Sequence, residues 1–284
     1  WSDDVKKASI ASRSFGDTSS RSITSENITF PTDKPSDAID YTTIKDETIF
    51  KAYSSATTFF IDGTTTPVTL NSFLTDGTTE RPIYIKGKVT ILDSQIRDKY
   101  KLYILPGANV TFTNATLLRS NSSIYISINA IVTMSIDFRV EGPLYNQGML
   151  YGKMLTSAQS FYNIGTISCN RIYLSSGLFS NEGNVSTNSL QQDYNASIEN
   201  LSGAILRVNG LTDLTNRTPL TNSGSFISDS LKTSSRIIIN NNCIFKVMKA
   251  PASLDGATLN INGNSYIYFK GISLFGQSTV NMGS

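Results

Sequence analysis

A short motif, Asn-x-Gly behind apolar or aromatic residues, returns about once every twenty residues in the C-terminal half of the chain. Its copies are LYNQG (144–148), FYNIG (161–165), FSNEG (179–183), LTNSG (220–224) and TVNMG (279–283), with the variants IENLSG (198–203), IINNN (238–242) and LNING (259–263) between them. Successive asparagines are 17 to 22 residues apart. A period of this size predicts a solenoid.

Apolar and polar residues alternate in short runs throughout the repeats, which is strand periodicity. The runs PIYIKGKVTI (82–91), LYILPGANVTF (102–112) and IYISINAIVTM (124–134) extend the same spacing towards the N terminus. We therefore predict an all-β chain that forms a single-stranded right-handed parallel β-helix of about ten rungs from Ile83 onward. The handedness follows from the crossover preference of parallel strands. A series of β-sandwich hairpins is the alternative architecture.

The repeats divide the chain into three regions. Residues 1–22 are rich in Ser, Asp and Lys and are predicted to be a flexible tether. Residues 23–81 contain shorter strand patterns and are predicted to form a β-rich cap over the first rung. Residues 82–284 form the β-helix, which we expect to continue into a further C-terminal region. Its core is predicted from inward apolar residues such as Phe161, Leu178 and Ile238.

The repeated asparagine has two interpretations. A row of exposed amides could bind a glycan through parallel hydrogen bonds. The favoured interpretation is structural: each asparagine fills one corner and bonds to the next rung, and the glycine takes the positive φ of the turn. The predicted ladder consists of Asn146, Asn163, Asn181, Asn200, Asn222, Asn241, Asn262 and Asn281.

Composition excludes several classes of function. The chain has 16% charged residues and a formal charge of +2, without a basic block, so we expect no nucleic-acid partner. No apolar run is long enough for a transmembrane span. Histidine is absent, which removes histidine-based nucleophile and zinc chemistry. We expect no metal and no cofactor, and four rungs between Cys169 and Cys243 argue against a disulfide.

Carboxylates offer the remaining route to catalysis. A polysaccharide hydrolase needs two carboxyl groups about 5–9.5 Å apart. Glu182 and Glu199 are the best pair, because both lie beside the Asn-Gly turns of consecutive rungs and would stack on one corner. The simpler interpretation is that both are solvated turn residues.

Four tyrosines are candidate anchors for a ligand, because exposed aromatic rings are common in binding surfaces. They are Tyr145, Tyr151, Tyr162 and Tyr173. Ordinary packing along a stacked column is the alternative role for these side chains.

The order YIKGKVTI, LYILPGANVTF, LYNQGML, FYNIGTIS, LFSNEGNV, LTNSGSF and IIINNNCIFKV, over about 200 residues, resembles the N-terminal repeat region of exported Bacteroidetes lipoproteins with a C-terminal LruC-type domain. This is an uncharacterised family of surface proteins. The resemblance implies export to the bacterial cell surface or outer membrane and a lipid anchor upstream of Trp1. The LruC-type domain itself is not recognisable in the sequence.

We therefore predict a non-enzymatic cell-surface solenoid, a monomer that acts as a spacer or adhesin-like module and binds a glycan or an extracellular protein. Two alternatives stay open. One is a polysaccharide-acting β-helix enzyme, a lyase or hydrolase. The other is a phage spike-like protein, which would require a trimer.

Overall fold

A computed structural model describes residues 28–40, 57–71, 80–96, 99–215, 218–234 and 236–283. Within these ranges the chain forms 24 β-strands and no helix. The strands are β1 Ile39–Asp40, β2 Phe59–Leu70, β3 Arg81–Ile91, β4 Gln95–Ile96, β5 Tyr100–Ile104, β6 Asn109–Phe112, β7 Thr116–Leu118, β8 Ser123–Ile126, β9 Ile131–Val140, β10 Leu144–Asn146, β11 Met149–Ser157, β12 Phe161–Asn163, β13 Thr166–Asn181, β14 Asn184–Asn200, β15 Ile205–Leu214, β16 Leu220–Asn222, β17 Ser225–Thr233, β18 Ile238–Asn241, β19 Ile244–Val247, β20 Ala252–Asp255, β21 Thr258–Ile261, β22 Tyr266–Phe269, β23 Ile272–Phe275 and β24 Thr279–Met282.

Each strand pairs in parallel with strands one rung away, and the stack contains about eleven turns. For example, Leu144 of β10 lies between Ile124 of β8 and Phe161 of β12. The predicted parallel β-helix is confirmed. Regular parallel stacking pairs backbone groups of the inner rungs with those of the rungs on either side.

Three walls enclose the core. In the rung that begins at Leu144, the first wall is 144–146, the second is 149–152 and the third is 154–157. The equivalent segments of other rungs continue each wall. Side chains alternate between the core and the outer surface, so each wall has inward and outward columns of stacked residues.

The core consists of apolar columns with almost no solvent exposure. Phe161 stacks on Phe179 with ring centroids 5.0 Å apart. Two core predictions are wrong by one position, because Leu178 is only half-buried where Phe179 is buried, and Ile238 is 39% exposed where Ile239 is buried. In both places two apolar residues are adjacent, and only the second is in phase with the inward column.

The parallel stack also includes part of the segment predicted as a cap. Strand β2 pairs with β3 from Phe59 to Leu70, and β1 pairs with β2. The preceding residues cross the outer surface of the first wall, where the Phe30 ring meets Tyr125 edge-on at 6.3 Å. The predicted tether, 1–22, lies outside the described residues. Both cysteines are free thiols.

Candidate functional site

Most of the repeated asparagines face the core, not the solvent. Six of them form one inward column in the first wall and are at most 1% exposed: Asn146, Asn163, Asn181, Asn200, Asn222 and Asn241. The same column contains Ile126 before Asn146 and Ile261 after Asn241. Along this column, isoleucine at position 126 is followed by asparagine in six successive rungs and then by isoleucine again at position 261.

Hydrogen bonds run head to tail along this asparagine column. Each Nδ2 donates to Oδ1 of the next asparagine at 2.7–2.8 Å, which gives five bonds between six residues. A second bond from each of these five Nδ2 atoms reaches a backbone carbonyl at the corner, as from Asn222 to Ile244 O at 2.8 Å. At the end of the column, Asn241 Nδ2 donates to Cys243 O at 3.0 Å. At the first position, Asn146 Oδ1 is buried without a partner among the described residues, because Ile126 has no donor. The column is thus a structural ladder.

Asn262 and Asn281 do not belong to this ladder, which corrects the prediction for these two residues. Register aligns Asn241 with Ile261, so Asn262 falls one position beyond the column and donates to Asn242 Oδ1 at 2.7 Å. Asn281 lies in the outward column and donates to Asn260 Oδ1 at 2.8 Å. Asn262 directly precedes Gly263, whereas most ladder asparagines are separated from their glycine by at least one residue. The adjacent Asn-Gly pair belongs to a wider corner.

The glycines of the tight corners are required for space and not for positive φ, which corrects a second expectation. No positive φ occurs at Gly148, Gly165, Gly183 or Gly224. A Cβ on Gly183 would lie 2.0 Å from Gly165 O, and a Cβ on Gly165 would lie 2.1 Å from Gly148 O. Positive φ occurs instead in wider corners, as at Gly107 and Gly203. Stacked tight corners therefore touch through their backbones.

Two of the four predicted anchor tyrosines lie in a stacked aromatic column on the outer surface of the first wall. The column consists of Tyr84, Tyr103, Tyr125, Tyr145 and Tyr162, with neighbouring ring centroids 4.7–5.3 Å apart. Burial raises the pKa of Tyr145 to about 12. Because each inner ring is covered on both faces, Tyr145 has no free face for a sugar.

Tyr173 lies apart from that column, in the third wall. Its hydroxyl donates to Asp193 Oδ2 at 2.6 Å, and this bond, with burial, raises the tyrosine pKa. The Arg171 guanidinium lies 6.0 Å from the ring centroid. The Tyr173 phenol is thus held by Asp193 and has a cation near its ring, away from the stacked column.

The two predicted carboxylates do not stack. Glu199 follows Ser180 in the outward column of the first wall, whereas Glu182 lies in the corner after Asn181. Burial raises the pKa of Glu199, whose Oε2 has no partner among the described residues. The two side chains belong to different columns, so the geometry expected for a pair on one corner is absent.

The fourth predicted anchor, Tyr151, lies on the outer surface of the second wall and is 37% exposed. The parallel register places it in the same outward column as Tyr268, six rungs away. Between them the column contains Ser168, Ser186, Arg207, Ile227 and Lys246. At about 4.8 Å per rung, the two tyrosines are about 29 Å apart.

A second outward column runs beside the first on the same wall. It consists of Met149, Thr166, Asn184, Ile205, Ser225, Ile244 and Tyr266. Tyr266 and Tyr268 are 52% and 40% exposed and point the same way from one strand. We call these two columns together the outer second-wall face.

Cations and hydrogen-bonding groups occupy this face between its aromatic ends. Lys246 Nζ lies 5.2 Å from the Tyr266 ring centroid. Arg207 Nε donates to Asn209 Oδ1 at 2.7 Å, and Asn209 Nδ2 donates to Ser186 Oγ at 3.3 Å. Neither column contains Asp or Glu, so the face carries positive charge from Arg207 and Lys246.

Sequence reasoning missed Tyr266 and Tyr268, although their signal was present. In SYIYF, Ile267 and Phe269 are the apolar residues that alternate into the core, so the intervening tyrosines must point outward. The absence of the regular Asn-x-Gly spacing around this strand hid its position in the rung.

Among the described residues, no group of three or more His, Cys, Asp or Glu side chains is placed to hold a metal ion. No helix in the same ranges is long and apolar enough to cross a membrane. Comparisons with known proteins find no matching family model, no matching curated protein and no matching solved structure.

Proposed function

We propose that this protein is a non-enzymatic solenoid of the bacterial cell surface that binds an extended acidic glycan along the outer second-wall face. The observation that carries the proposal is the placement of Tyr151 and Tyr268 in one outward column, with Arg207 and Lys246 between them. The interior ladder supports the rigid backbone that such a face needs.

The aromatic ends of the face suit a polymer better than a small molecule. Tyr151 stacks on no other tyrosine, since its neighbours in the column are Thr133 and Ser168, and Tyr268 lies beside Lys246. Exposed rings of this kind present an apolar surface to a sugar ring. A ligand that reaches both must extend across several rungs, about 29 Å in all.

The charge of the face favours an acidic polymer. Arg and Lys donate charge-assisted hydrogen bonds to carboxylates and sulfates, and these bonds are stronger than neutral ones. No carboxylate of the two columns opposes them. A uronate-containing polysaccharide is therefore the ligand class that fits, and its binding should weaken as salt rises. Export and a lipid anchor belong to the same proposal and rest on the family resemblance.

Isothermal titration with uronate and neutral oligosaccharides tests the proposal. We expect binding of the uronate series, at least a tenfold loss in the double variant Tyr151→Ala, Tyr268→Ala, and no loss in Tyr173→Ala, which removes a tyrosine from another wall. Equal binding by the double variant and wild type would refute the assigned face. Unsaturated products or new reducing ends in the same mixtures would refute a non-enzymatic role.

A further inference from the structure

Charge alternates from rung to rung along the outer second-wall face. Arg207 and Lys246 are two rungs apart in one outward column, because Ile227 pairs with Arg207 on one side and with Lys246 on the other. Ser186 precedes Arg207 in the register, and Tyr268 follows Lys246. A cation is therefore followed by an uncharged rung and then by a second cation, at a spacing of about 9.6 Å for two rungs of about 4.8 Å each.

The neighbouring column of the same face has the same two-rung period. Ile205 lies two positions before Arg207 in its strand, and Ile244 lies two positions before Lys246. The rung between them has Ser225 at this place. Each cationic rung thus presents an isoleucine beside a basic side chain, whereas the intervening rung presents a serine beside an isoleucine.

The rungs on either side of Arg207 are poor places for a ligand carboxylate. On the rung before it, the face carries Asn184 and Ser186, and the acidic residue Glu182 lies in the corner that leads into this strand. A carboxylate over that rung would share it with a group of like charge. On the rung after it, the side chain of Ile227 has no donor to offer.

A linear polysaccharide of extended pyranose rings advances by about one rung for each sugar. We infer that the face selects a glycan with a disaccharide repeat, in which one uronate alternates with one neutral sugar; this inference rests on the proposed glycan-binding function. The carboxylates of alternate sugars lie over Arg207 and Lys246, which donate charge-assisted hydrogen bonds to them. The neutral sugar lies over Ser225 and Ile227, where a carboxylate would lose water without gaining a partner.

Net charge alone predicts the opposite preference. A chain made only of uronates has twice the charge density of an alternating chain, and attraction to a basic surface rises with the charge of the ligand. Tighter binding of the less charged polymer therefore reports the spacing of the cations and not their sum.

Isothermal titration tests the inference with two probes of equal chain length: hyaluronan oligosaccharides, in which a uronate alternates with a neutral sugar, and oligogalacturonates, in which every sugar is a uronate. We expect the wild-type protein to bind the alternating series at least tenfold more tightly. Ile227→Lys places a cation on the intervening rung, so we expect it to bind oligogalacturonate at least threefold more tightly than wild type does.

Leu211→Lys is the matched control, because Leu211 is 41% exposed and outward on the third wall, so the variant adds the same charge away from the face. We expect no gain for oligogalacturonate in this variant, and far-UV circular dichroism checks that both variants keep the wild-type β-structure. Equal binding of the two series by wild type, or equal gains in the two variants, would overturn the disaccharide repeat and leave the proposed face intact. Binding of neither series would overturn the acidic-glycan function itself.

Discussion

Replacing Asn181 with isoleucine divides the asparagine column in its middle. Asn181 takes part in four hydrogen bonds: it donates to Asn200 Oδ1 and Ile205 O, and it accepts from Asn163 Nδ2 and the Gly183 backbone N–H. Isoleucine is the natural probe, since the same inward column already contains isoleucine on either side of the ladder.

The expected cost follows from the groups left without partners. A buried hydrogen bond contributes about 1 kcal/mol net, so four lost bonds amount to about 4 kcal/mol. Asn146→Ile is the matched control. It loses two donated bonds, to Asn163 Oδ1 and Thr166 O. The unpaired amide oxygen moves from Asn146 to Asn163, so the ladder still begins with one such oxygen, and we expect a loss of about 2 kcal/mol or less.

Urea unfolding measures the free energy of unfolding of both variants. We monitor it by far-UV circular dichroism and by tyrosine fluorescence, because a difference between the two signals reveals a departure from a single transition. The expected order is wild type, then Asn146→Ile, then Asn181→Ile, with the last losing at least twice as much free energy of unfolding as the second. Equal losses would refute the view that continuity of the ladder, and not merely polarity in the core, stabilises the fold.

Two further outcomes follow from the corners and the aromatic column. We expect Gly183→Ala to lower the free energy of unfolding by about 3 kcal/mol, because its Cβ would lie 2.0 Å from Gly165 O. Gly107→Ala has open space around its Cβ but a φ of 75°, and we expect it to lower the free energy of unfolding by about 1 kcal/mol. If urea unfolding gave the reverse order, the close approach of the stacked corners would not be what requires glycine at position 183. Burial raises the pKa of Tyr103 and Tyr145 to about 12. The stabilisation that their neutral forms provide is therefore complete below the unfolded-state pKa of about 10 and is lost as pH rises through about 12. Phenolate absorbance that develops fully near pH 10, while the circular dichroism stays native, would show that the column is not buried.

The sequence predicted the rung size because stacking in register imposes a period, and a residue as distinctive as asparagine makes the period visible. It also predicted that the asparagines form a ladder. It did not place Asn262 correctly, because corner width varies between rungs and an Asn-Gly pair occurs in wide corners as well as tight ones. Asn200 belongs to the ladder, yet a wide corner follows it, so the width of a corner cannot be inferred from its asparagine alone.

Side-chain direction was harder to predict than rung position. Adjacent apolar residues such as Leu178 and Phe179 have no periodicity that distinguishes inward from outward. Counting back by two from Asn181 would have identified Phe179, but only once the asparagine was known to face the core. Whether a tyrosine ring is stacked or free depends on the residue one rung away, about twenty positions along the chain, which explains why Tyr145 and Tyr151 appeared equivalent.

The direction of the amides in the ladder has a consequence for motion. Each amide donates towards the C terminus and accepts from the rung before, so reversing one would place donor against donor on one side and acceptor against acceptor on the other. All six must therefore hold one orientation together. We expect hydrogen exchange to show that the rungs formed by residues 144–245 open as a single unit. The rungs at either end, which have isoleucine in place of the ladder asparagine, should open more often and independently.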